Sequence, residues 1–235
     1  MSSRLQRLES GIVYLSVALL DQSKEPFEHV LSADERERAV QFVFDRHRHA
    51  YIVARGILRL ILGRALQIPP QDVRFVYGCK GKPMLATQSP IRFNLSHSGS
   101  VAVYAVTVGR EIGIDVEQMR PVDDMDTLAR YSFSAAENMV FAKLPEEQRQ
   151  EAFFNCWTRK EAYIKALGDG LSYSLQDFDV TLRPGEPARL LRVKGKPEET
   201  RRWSLYGFTP AKNYVGALAV EGEADVQYCV IQEQK

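Results

Sequence analysis

Two stretches of the chain combine acidic and basic side chains at spacings that suit phosphate chemistry. Residues 157–165 contain helix formers and neither Gly nor Pro, so Glu161 and Lys165 are predicted to share one face of a helix. Upstream, Asp115 and Glu117 stand in a β-branched run, and residues two apart in a strand point to the same side. Three carboxylates and an ammonium fit a hard cation with a phosphate ester, because Mg²⁺ binds carboxylates, water and substrate phosphate.

Each of these signals also has an ordinary explanation. Glu161 and Lys165 could form an exposed helical ion pair, and the two acids of the β-branched run could be solvated at a strand end. The spacing alone leaves both explanations open.

The composition is that of a globular protein with a hydrophobic core. The 235 residues are 45% hydrophobic and 26% charged, which allows one large domain or two smaller ones. A net charge of +1 argues against a nucleic-acid partner, because no extended basic field is present. Cys79, Cys156 and Cys229 are widely spaced and favour a reducing compartment. With neither a signal-like start nor a spanning apolar run, the chain is predicted to be cytoplasmic, without a membrane partner.

Short echoes recur in the same order in the two halves of the chain. They are a capping box at Ser32 and at Ser134, an Ala-Tyr-Ile triplet at 50–52 and at 162–164, and a strand-like run at 101–106 and at 215–220. The echoes predict an α/β (α+β) fold of two pseudo-symmetric lobes, each a small sheet packed with helices. The predicted domains are residues 1–111 and 112–235, which meet near residues 109–113 with a site between them.

The echoes also predict an asymmetry between the lobes. Aligned on the triplets, Glu161 corresponds to His49, and Lys165 corresponds to Val53. Only the second lobe would then carry the pair of acid and ammonium.

A cationic stretch without acids is a second candidate binding surface. Residues 46–71 include no acidic residue, and Arg48, Arg55 and Arg59 fall on one stripe of a mostly apolar helix. The stripe is either the solvent edge of that helix or a phosphate-binding face, with Arg38 on the preceding helix as a partner.

Two further polar segments could bind an anion. Residues 80–83, Lys-Gly-Lys-Pro, form either an ordinary tight turn or one whose glycine lets the backbone approach a phosphate. His97 stands between Ser96 and Ser98 and near Asn94, at the end of a predicted strand. A lone His is more often structural, but this polar setting favours an anion contact. Walker-type loops, zinc spacings and nucleophile elbows are absent from the sequence.

Taken as complete motifs, these residues resemble the 4'-phosphopantetheinyl transferases, specifically the large monomeric type that activates surfactin synthetase. The similarity runs from about residue 32 to residue 172. It rests on Phe-Asn-Leu-Ser-His-Ser at 93–98, Gly-Ile-Asp-Val-Glu at 113–117, and the run 157–165 followed by Gly-Asp-Gly-Leu-Ser at 168–172. The resemblance implies two pseudo-symmetric lobes with coenzyme A between them.

The resemblance implies a specific reaction. A serine of an apo carrier protein attacks the β-phosphate of coenzyme A, phosphopantetheine is transferred, and 3',5'-ADP leaves. Asp115, Glu117 and Glu161 match the family's ligands for Mg²⁺, with Mn²⁺ possible. Glu161, or a water beside it, would take the serine proton, and Lys165 would stabilise or protonate the departing phosphate. The expected enzyme is a cytoplasmic monomer.

The resemblance also implies which residues contact coenzyme A. His97 matches a pyrophosphate contact and counts as catalytic, Lys82 matches a nucleotide contact, and Arg38 matches a cation for the 3'-phosphate. Glu35 stands where some members carry a second cation, which shifts the expectation towards Arg38 and Arg48. The full predicted contact set is Arg38, Arg48, Lys80, Gly81, Lys82, Pro83, Asn94, Ser96, His97, Asp115 and Lys165.

Two other functions share part of this pattern. A Mg²⁺-dependent hydrolase of coenzyme A or nucleotides would use the same carboxylates and need no protein partner. A non-catalytic module that binds coenzyme A or a carrier protein would be expected to lack Glu161 or Lys165, and the chain has both. The carrier itself is left open among those of fatty-acid, polyketide and peptide synthesis.

Overall fold

The first half of the chain folds into a lobe with one long helix and a small sheet. The computed structural model describes residues 8–78, 81–168 and 174–229. The elements of the first lobe are β1 (Ile12–Leu19), α1 (Glu25–Glu28), α2 (Ala33–Val40), α3 (Asp45–Leu66), β2 (Phe75–Tyr77), β3 (Pro83–Leu85), β4 (Ile91–Ser98) and β5 (Val101–Val108). A 3-10 turn at Pro70–Asp72 lies between α3 and β2.

The second half repeats this order of elements with two additions. Its elements are β6 (Ile112–Gln118), α4 (Met125–Ser132), α5 (Ala135–Phe141), α6 (Glu146–Leu167), β7 (Phe178–Val180), β8 (Leu190–Val193), α7 (Glu199–Arg202), β9 (Trp203–Phe208), β10 (Tyr214–Glu221) and β11 (Asp225–Cys229). The additions are α7 and β11. A 3-10 turn at Leu175–Asp177 again follows the long helix. Ser32 and Ser134 directly precede α2 and α5, which confirms both predicted helix starts.

Two sheets form the centres of the lobes. Their strand orders are β11-β1-β5-β4 and β6-β10-β9, and the hairpins β2-β3 and β7-β8 stand apart from them. In each lobe the opening strand pairs antiparallel with the central strand, β5 or β10, which pairs in turn with β4 or β9. Seven of the eight residues in each central strand are buried, which explains their continuous apolar sequences. The predicted fold of two pseudo-symmetric lobes is therefore confirmed.

The last strand returns to the first lobe. β11 runs parallel to β1, with Ile12 opposite Asp225 and Ser16 opposite Cys229. A strand from the second half of the sequence thus completes the first sheet. The division into residues 1–111 and 112–235 stays a prediction about domains.

The two long helices are equivalent, and each pairs with a buried acid. Glu35 of the first capping box accepts from Arg55 and Arg59 at 2.5 Å each, and Glu137 of the second lies 2.8 Å from Lys160. Arg59 and Lys160 also donate to carbonyls around the 3-10 turn of their own lobe. Each is the fifteenth residue of a 22-residue helix. No described helix is long and apolar enough to cross a membrane.

This equivalence corrects the register of one sequence echo. The Ala-Tyr-Ile triplets lie in the first half of α3 and near the end of α6, so their match is accidental. Aligned on the ion pairs, Glu161 corresponds to Leu60. Lys165 corresponds to Arg64, about three turns further along α3 than the triplets indicated. The predicted asymmetry survives, since the first lobe has no acid at the position of Glu161.

Stability at acidic pH is expected to depend on Glu35. Burial alone would raise the pKa of this carboxyl, but hydrogen bonds and charges from Arg59 and Arg55 hold it below the usual 4.5. A lowered pKa stabilises the folded state above the unfolded value, and that contribution is lost as pH falls through the folded pKa. Below pH 4.5, the free energy of unfolding of the wild type should fall with pH because of Glu35. Glu35→Gln should reduce that slope by up to about 1.4 kcal/mol per pH unit.

The matched control is Glu147→Gln, which makes the same change at an exposed position of α6. Denaturant unfolding of the three proteins at several acidic pH values gives the slopes. If Glu35→Gln and Glu147→Gln both keep the wild-type slope, the ion pair does not control acid stability.

Candidate active site

Strand β6 and helix α6 bring an acid and an ammonium into contact. Lys165 Nζ lies 2.6 Å from Asp115 Oδ1 and donates to Ser96 Oγ at 3.1 Å. Ser96 donates to the same oxygen of Asp115 at 2.8 Å. The close approach of strand to helix requires Gly113, because a Cβ there would lie 2.1 Å from Ala162 O. Lys165 therefore bonds an acid on the neighbouring strand.

Alternate side chains of β4 hold β6 in place. Asn94 Oδ1 accepts from the backbone N–H of Ile114 at 2.8 Å. Ser98 Oγ donates to Glu117 Oε2 at 2.7 Å and accepts the backbone N–H of Gln118 at 3.1 Å. Ser96 takes the middle position. These bonds confirm that the two acids of β6 point to the same side of the strand.

The pKa values of Glu117 and Glu161 are both raised, in part by the charge of Asp115. Burial is the main cause that raises the pKa of Glu117, and the charge of Asp115 adds to it, while the Ser98 hydrogen bond opposes it. Burial also raises the pKa of Glu161, again with the Asp115 charge as the second cause and with Lys165 in opposition. The three carboxylates are thus close enough to interact, although they come from a strand and a helix.

The chemistry of the acids suits a cation whose remaining ligands come from water and substrate. Within residues 8–78, 81–168 and 174–229, no group of three or more His, Cys, Asp or Glu side chains is arranged to hold a metal. Asp115 Oδ2, however, is buried and has no hydrogen-bond partner in the described chain. Mg²⁺ commonly uses one or two carboxylates and takes its other ligands from water and substrate phosphate. The residues present fit such an ion.

His97 is the last residue but one of β4, which confirms that it lies at the end of a strand. The strand continues to Ser98 because the polar side chains at alternate positions are satisfied by β6. His97 is exposed, yet the surrounding protein removes enough hydration to lower its pKa, and the charges of Lys165 and His47 add to this effect. The ring is therefore close to the ammonium of α6 and to the start of α3.

The Lys-Gly-Lys-Pro turn reaches the second lobe. Lys82 Nζ donates to Lys165 O at 2.7 Å and to Ile112 O at 3.1 Å. Gly81 has φ +79°, a backbone conformation that favours glycine. Lys80 lies outside the described residues, as does most of the predicted Gly-Asp-Gly-Leu-Ser run. The turn thus lies next to the last turn of α6 without filling the site.

The cationic stripe of α3 is not continuous on the surface. Arg55 and Arg59 form neither the solvent edge nor the phosphate-binding face that the sequence left open. Arg55 and Arg59 are 7% and 1% exposed, because Glu35 neutralises both inside the lobe. Arg55 also donates to Tyr77 OH and lies over the ring of Phe75. These arginines are buried in an ion-pair network with Glu35 and do not form a surface stripe.

Arg38 and Arg48 remain at the surface of the first lobe. Arg38 is exposed, and its guanidinium lies 5.7 Å from the centre of the Tyr51 ring. Tyr51 follows Arg48 on α3 by about one helical turn. Arg48 pairs with Asp45 at 3.3 Å, but its Nε is buried without a hydrogen-bond partner in the described chain. A pocket of about 420 Å³ opens between the start of α3, the end of β1 and the β4–β5 turn.

A second pocket, larger than this one, lies elsewhere. About 610 Å³ opens between β8, β9 and the segment before β11. None of the predicted site residues lines it. The polar cluster on β6 and α6 is therefore distinguished by its charges and hydrogen bonds and not by pocket volume.

Known protein families match both lobes. The family "4'-phosphopantetheinyl transferase superfamily" matches residues 111–219, and "4'-phosphopantetheinyl transferase, N-terminal" matches residues 22–109. The 4'-phosphopantetheinyl transferase HetI of Nostoc sp. is 42% identical to this chain and covers 92% of it, over 90% of its own length. The chain belongs to the 4'-phosphopantetheinyl transferase superfamily.

Other relatives are more distant. The 4'-phosphopantetheinyl transferase Sfp of Bacillus subtilis is 29% identical over 72% of this chain and 75% of its own length. A crystal structure of the holo-[acyl-carrier-protein] synthase of Thermotoga maritima has a TM-score of 0.39 and 24% identity, over 48% of this chain and 63% of that one. This transferase moves phosphopantetheine from coenzyme A to carrier proteins.

Sequence reasoning missed the part played by Ser98. The transferase uses this hydroxyl to bond Glu117, whereas the sequence placed only Asn94, Ser96 and His97 of the same motif in the site. The signal was present, because polar residues at 94, 96 and 98 have the period of a strand and face a common neighbour.

Proposed function

We propose that Asp115, Glu117 and Glu161 of this transferase hold Mg²⁺, or Mn²⁺ in its place, together with the pyrophosphate of coenzyme A. The observation that carries the proposal is the buried Oδ2 of Asp115, which no described group satisfies. It lies where the charges of the other two acids act. When bound, the ion would polarise the phosphate and offset charge that develops on it.

In the proposed transfer step, residues of α6 accept the serine proton and stabilise the negative charge on the leaving group. The serine Oγ of the carrier bonds to the β-phosphorus of coenzyme A as the bond from that phosphorus to 3',5'-ADP breaks. Glu161, or a water beside it, takes the serine proton, and the raised pKa of this carboxyl improves it as a base. Lys165 stabilises or protonates the departing phosphate. Both residues lie one helical turn apart on α6.

The contacts to the rest of coenzyme A come from the first lobe. His97 contacts the pyrophosphate, since the charge of Lys165 already reaches its ring. Gly81, Lys82 and Pro83 contact the nucleotide from their turn beside α6. The other proposed contacts are Lys80, Asn94 and Ser96.

Arg38 and Arg48 are proposed to hold the 3'-phosphate, in support of which Arg48 has an unsatisfied Nε. Arg48→Ala should then weaken coenzyme A binding far more than binding of 3'-dephospho-coenzyme A. A lost charge-assisted contact is worth about 1.5–3 kcal/mol, or roughly ten- to a hundredfold in affinity. Calorimetric titration with both ligands measures the difference.

The control for this prediction is Arg92→Ala, which removes an exposed arginine of β4 that pairs with Glu111 and with nearby carbonyls. It should leave both affinities as in the wild type. Equal losses for the two ligands in Arg48→Ala would mean that the arginine does not meet the 3'-phosphate.

The acceptor is an apo acyl or peptidyl carrier protein of fatty-acid, polyketide or peptide synthesis, and the enzyme acts as a cytoplasmic monomer. Intact-protein mass spectrometry of an apo carrier incubated with enzyme, coenzyme A and Mg²⁺ tests the activity. Transfer adds the mass of phosphopantetheine to the carrier. Breakdown of coenzyme A with an unchanged carrier would indicate a hydrolase, and unchanged coenzyme A would indicate a binding module.

A further inference from the structure

The seam between the lobes is built from side chains. β4 and β6 belong to different sheets, and three alternate residues of β4 connect them. We call Asn94, Ser96 and Ser98 the seam ladder. Each member bonds β6 at or next to a carboxylate of the proposed metal site.

The duplicated lobe indicates that the fold does not require this ladder. In the first sheet, Asn94 and Ser96 stand opposite the fifth and third residues of β5. In the second sheet, the positions opposite the fifth and third residues of β10 are occupied by Tyr206 and Phe208. The same architecture therefore forms with aromatic residues at two of the ladder positions. Polar residues are needed only where β6 faces them.

We propose that Ser98 is a positioning residue that fixes the Glu117 carboxylate for the metal, an inference that rests on the proposed function. A hydroxyl has one hydrogen to donate and lone pairs to accept. Ser98 uses its donor on Glu117 Oε2 at 2.7 Å and accepts the N–H of Gln118 at 3.1 Å. The hydroxyl thus ties the carboxylate of Glu117 to the backbone of its own strand.

This tie matters because Glu117 has a longer and more mobile side chain than Asp115. Asp115 is held by Ser96 and by Lys165. For Glu117 the hydrogen bond from Ser98 is the one that the described chain provides. Hydrogen bonds that orient a metal ligand typically change metal affinity by about ten- to a hundredfold when removed.

The test measures the affinity for Mn²⁺ in the presence of coenzyme A and without a carrier protein. Electron paramagnetic resonance of the free ion monitors the binding. Ser98→Ala should weaken Mn²⁺ binding about tenfold or more. Ser98→Thr, which keeps the hydroxyl, should restore it. Should the alanine variant not fold, Ser98→Cys supplies a similar size with a weak donor and should also bind Mn²⁺ less tightly.

Thr107→Val is the matched control. Thr107 Oγ1 donates to Ile12 O at 2.8 Å between β5 and β1, across the edge of β5 opposite to β4. Its loss should leave Mn²⁺ binding unchanged. If it weakens binding as much as Ser98→Ala does, general loosening of the sheet explains both and the positioning role is overturned.

Asp115→Asn separates this inference from the proposed function. If Ser98→Ala binds Mn²⁺ as the wild type does while Asp115→Asn loses the ion, the role of Ser98 is wrong and the metal site stands. If Asp115→Asn also keeps wild-type affinity, the proposed metal site itself is wrong, and the role of Ser98 fails with it.

Discussion

Asp115→Asn is expected to lower phosphopantetheine transfer by about a hundredfold or more while the protein still folds. The substitution keeps the shape of the side chain but removes its negative charge. The Oδ2 atom of Asp115 has no hydrogen-bond partner in the described chain and is the atom proposed to bind the metal. Stabilisation of phosphate charge by a bound metal is worth several kcal/mol, and each 1.36 kcal/mol is about tenfold in rate. Transfer rates at saturating coenzyme A and Mg²⁺ measure the loss.

The free energy of unfolding without metal should stay within about 1 kcal/mol of the wild type. The variant loses the ion pair with Lys165, whose side chain is 29% exposed and stays hydrated, while the buried Asp115 becomes neutral. It also relieves the repulsion that Asp115 exerts on Glu117 and Glu161. The two changes therefore oppose each other.

The matched control is Asp179→Asn, the same change at a buried aspartate that pairs with Arg192 outside the site. It should reduce stability and leave the activity of the folded fraction intact. Wild-type transfer in excess chelator, or an Asp115→Asn variant that does not fold, would remove Asp115 from its proposed role.

Local rules accounted for the parts of the fold that depend on neighbours in sequence. The capping boxes at Ser32 and Ser134 marked real helix starts. The i, i+2 spacing of Asp115 and Glu117 gave their common direction, because a strand allows no other arrangement. The continuous apolar runs at 101–106 and 215–220 marked two strands, β5 and β10, which are the central ones in the structure.

Long-range partners could not be predicted by the same rules. Charged residues are expected at the surface, yet Arg55 and Arg59 are buried because Glu35 lies across from them on another helix. The pair of arginines four residues apart in an apolar helix was a signal for a buried acid. Only the tertiary fold shows that the acid is the one that also caps α2.

The partner of Lys165 illustrates the same limit at the active site. Helical spacing favours Glu161, four residues away, as the ion-pair partner. The structure pairs Lys165 with Asp115 instead, because Gly113 lets β6 approach α6 closely. A glycine inside a strand was visible in the sequence, but its consequence depends on which helix packs against it.

Lys165→Ala is expected to lower kcat by about a hundredfold and to change KM for coenzyme A little. The ammonium lies at the acid cluster, where it would meet the charge that grows on the departing 3',5'-ADP. An interaction that strengthens only in the transition state affects kcat more than binding. Loss of one preorganised charge-stabilising donor typically costs about a hundred- to a thousandfold in kcat. Steady-state kinetics with an apo carrier measures both constants.

Two further variants distinguish catalysis from charge balance. Lys165→Arg keeps the charge that neutralises Asp115 but replaces a compact ammonium with a planar fork, so it should restore stability and little of kcat. Lys194→Ala makes the alanine change at an exposed ion pair with Asp177 and should alter kcat hardly at all, since such pairs contribute about 0–1 kcal/mol. If Lys165→Ala keeps the kcat of the wild type, Lys165 serves only to balance the charge of Asp115. If Lys165→Arg restores kcat fully, positive charge at this position suffices and the compact ammonium has no special role.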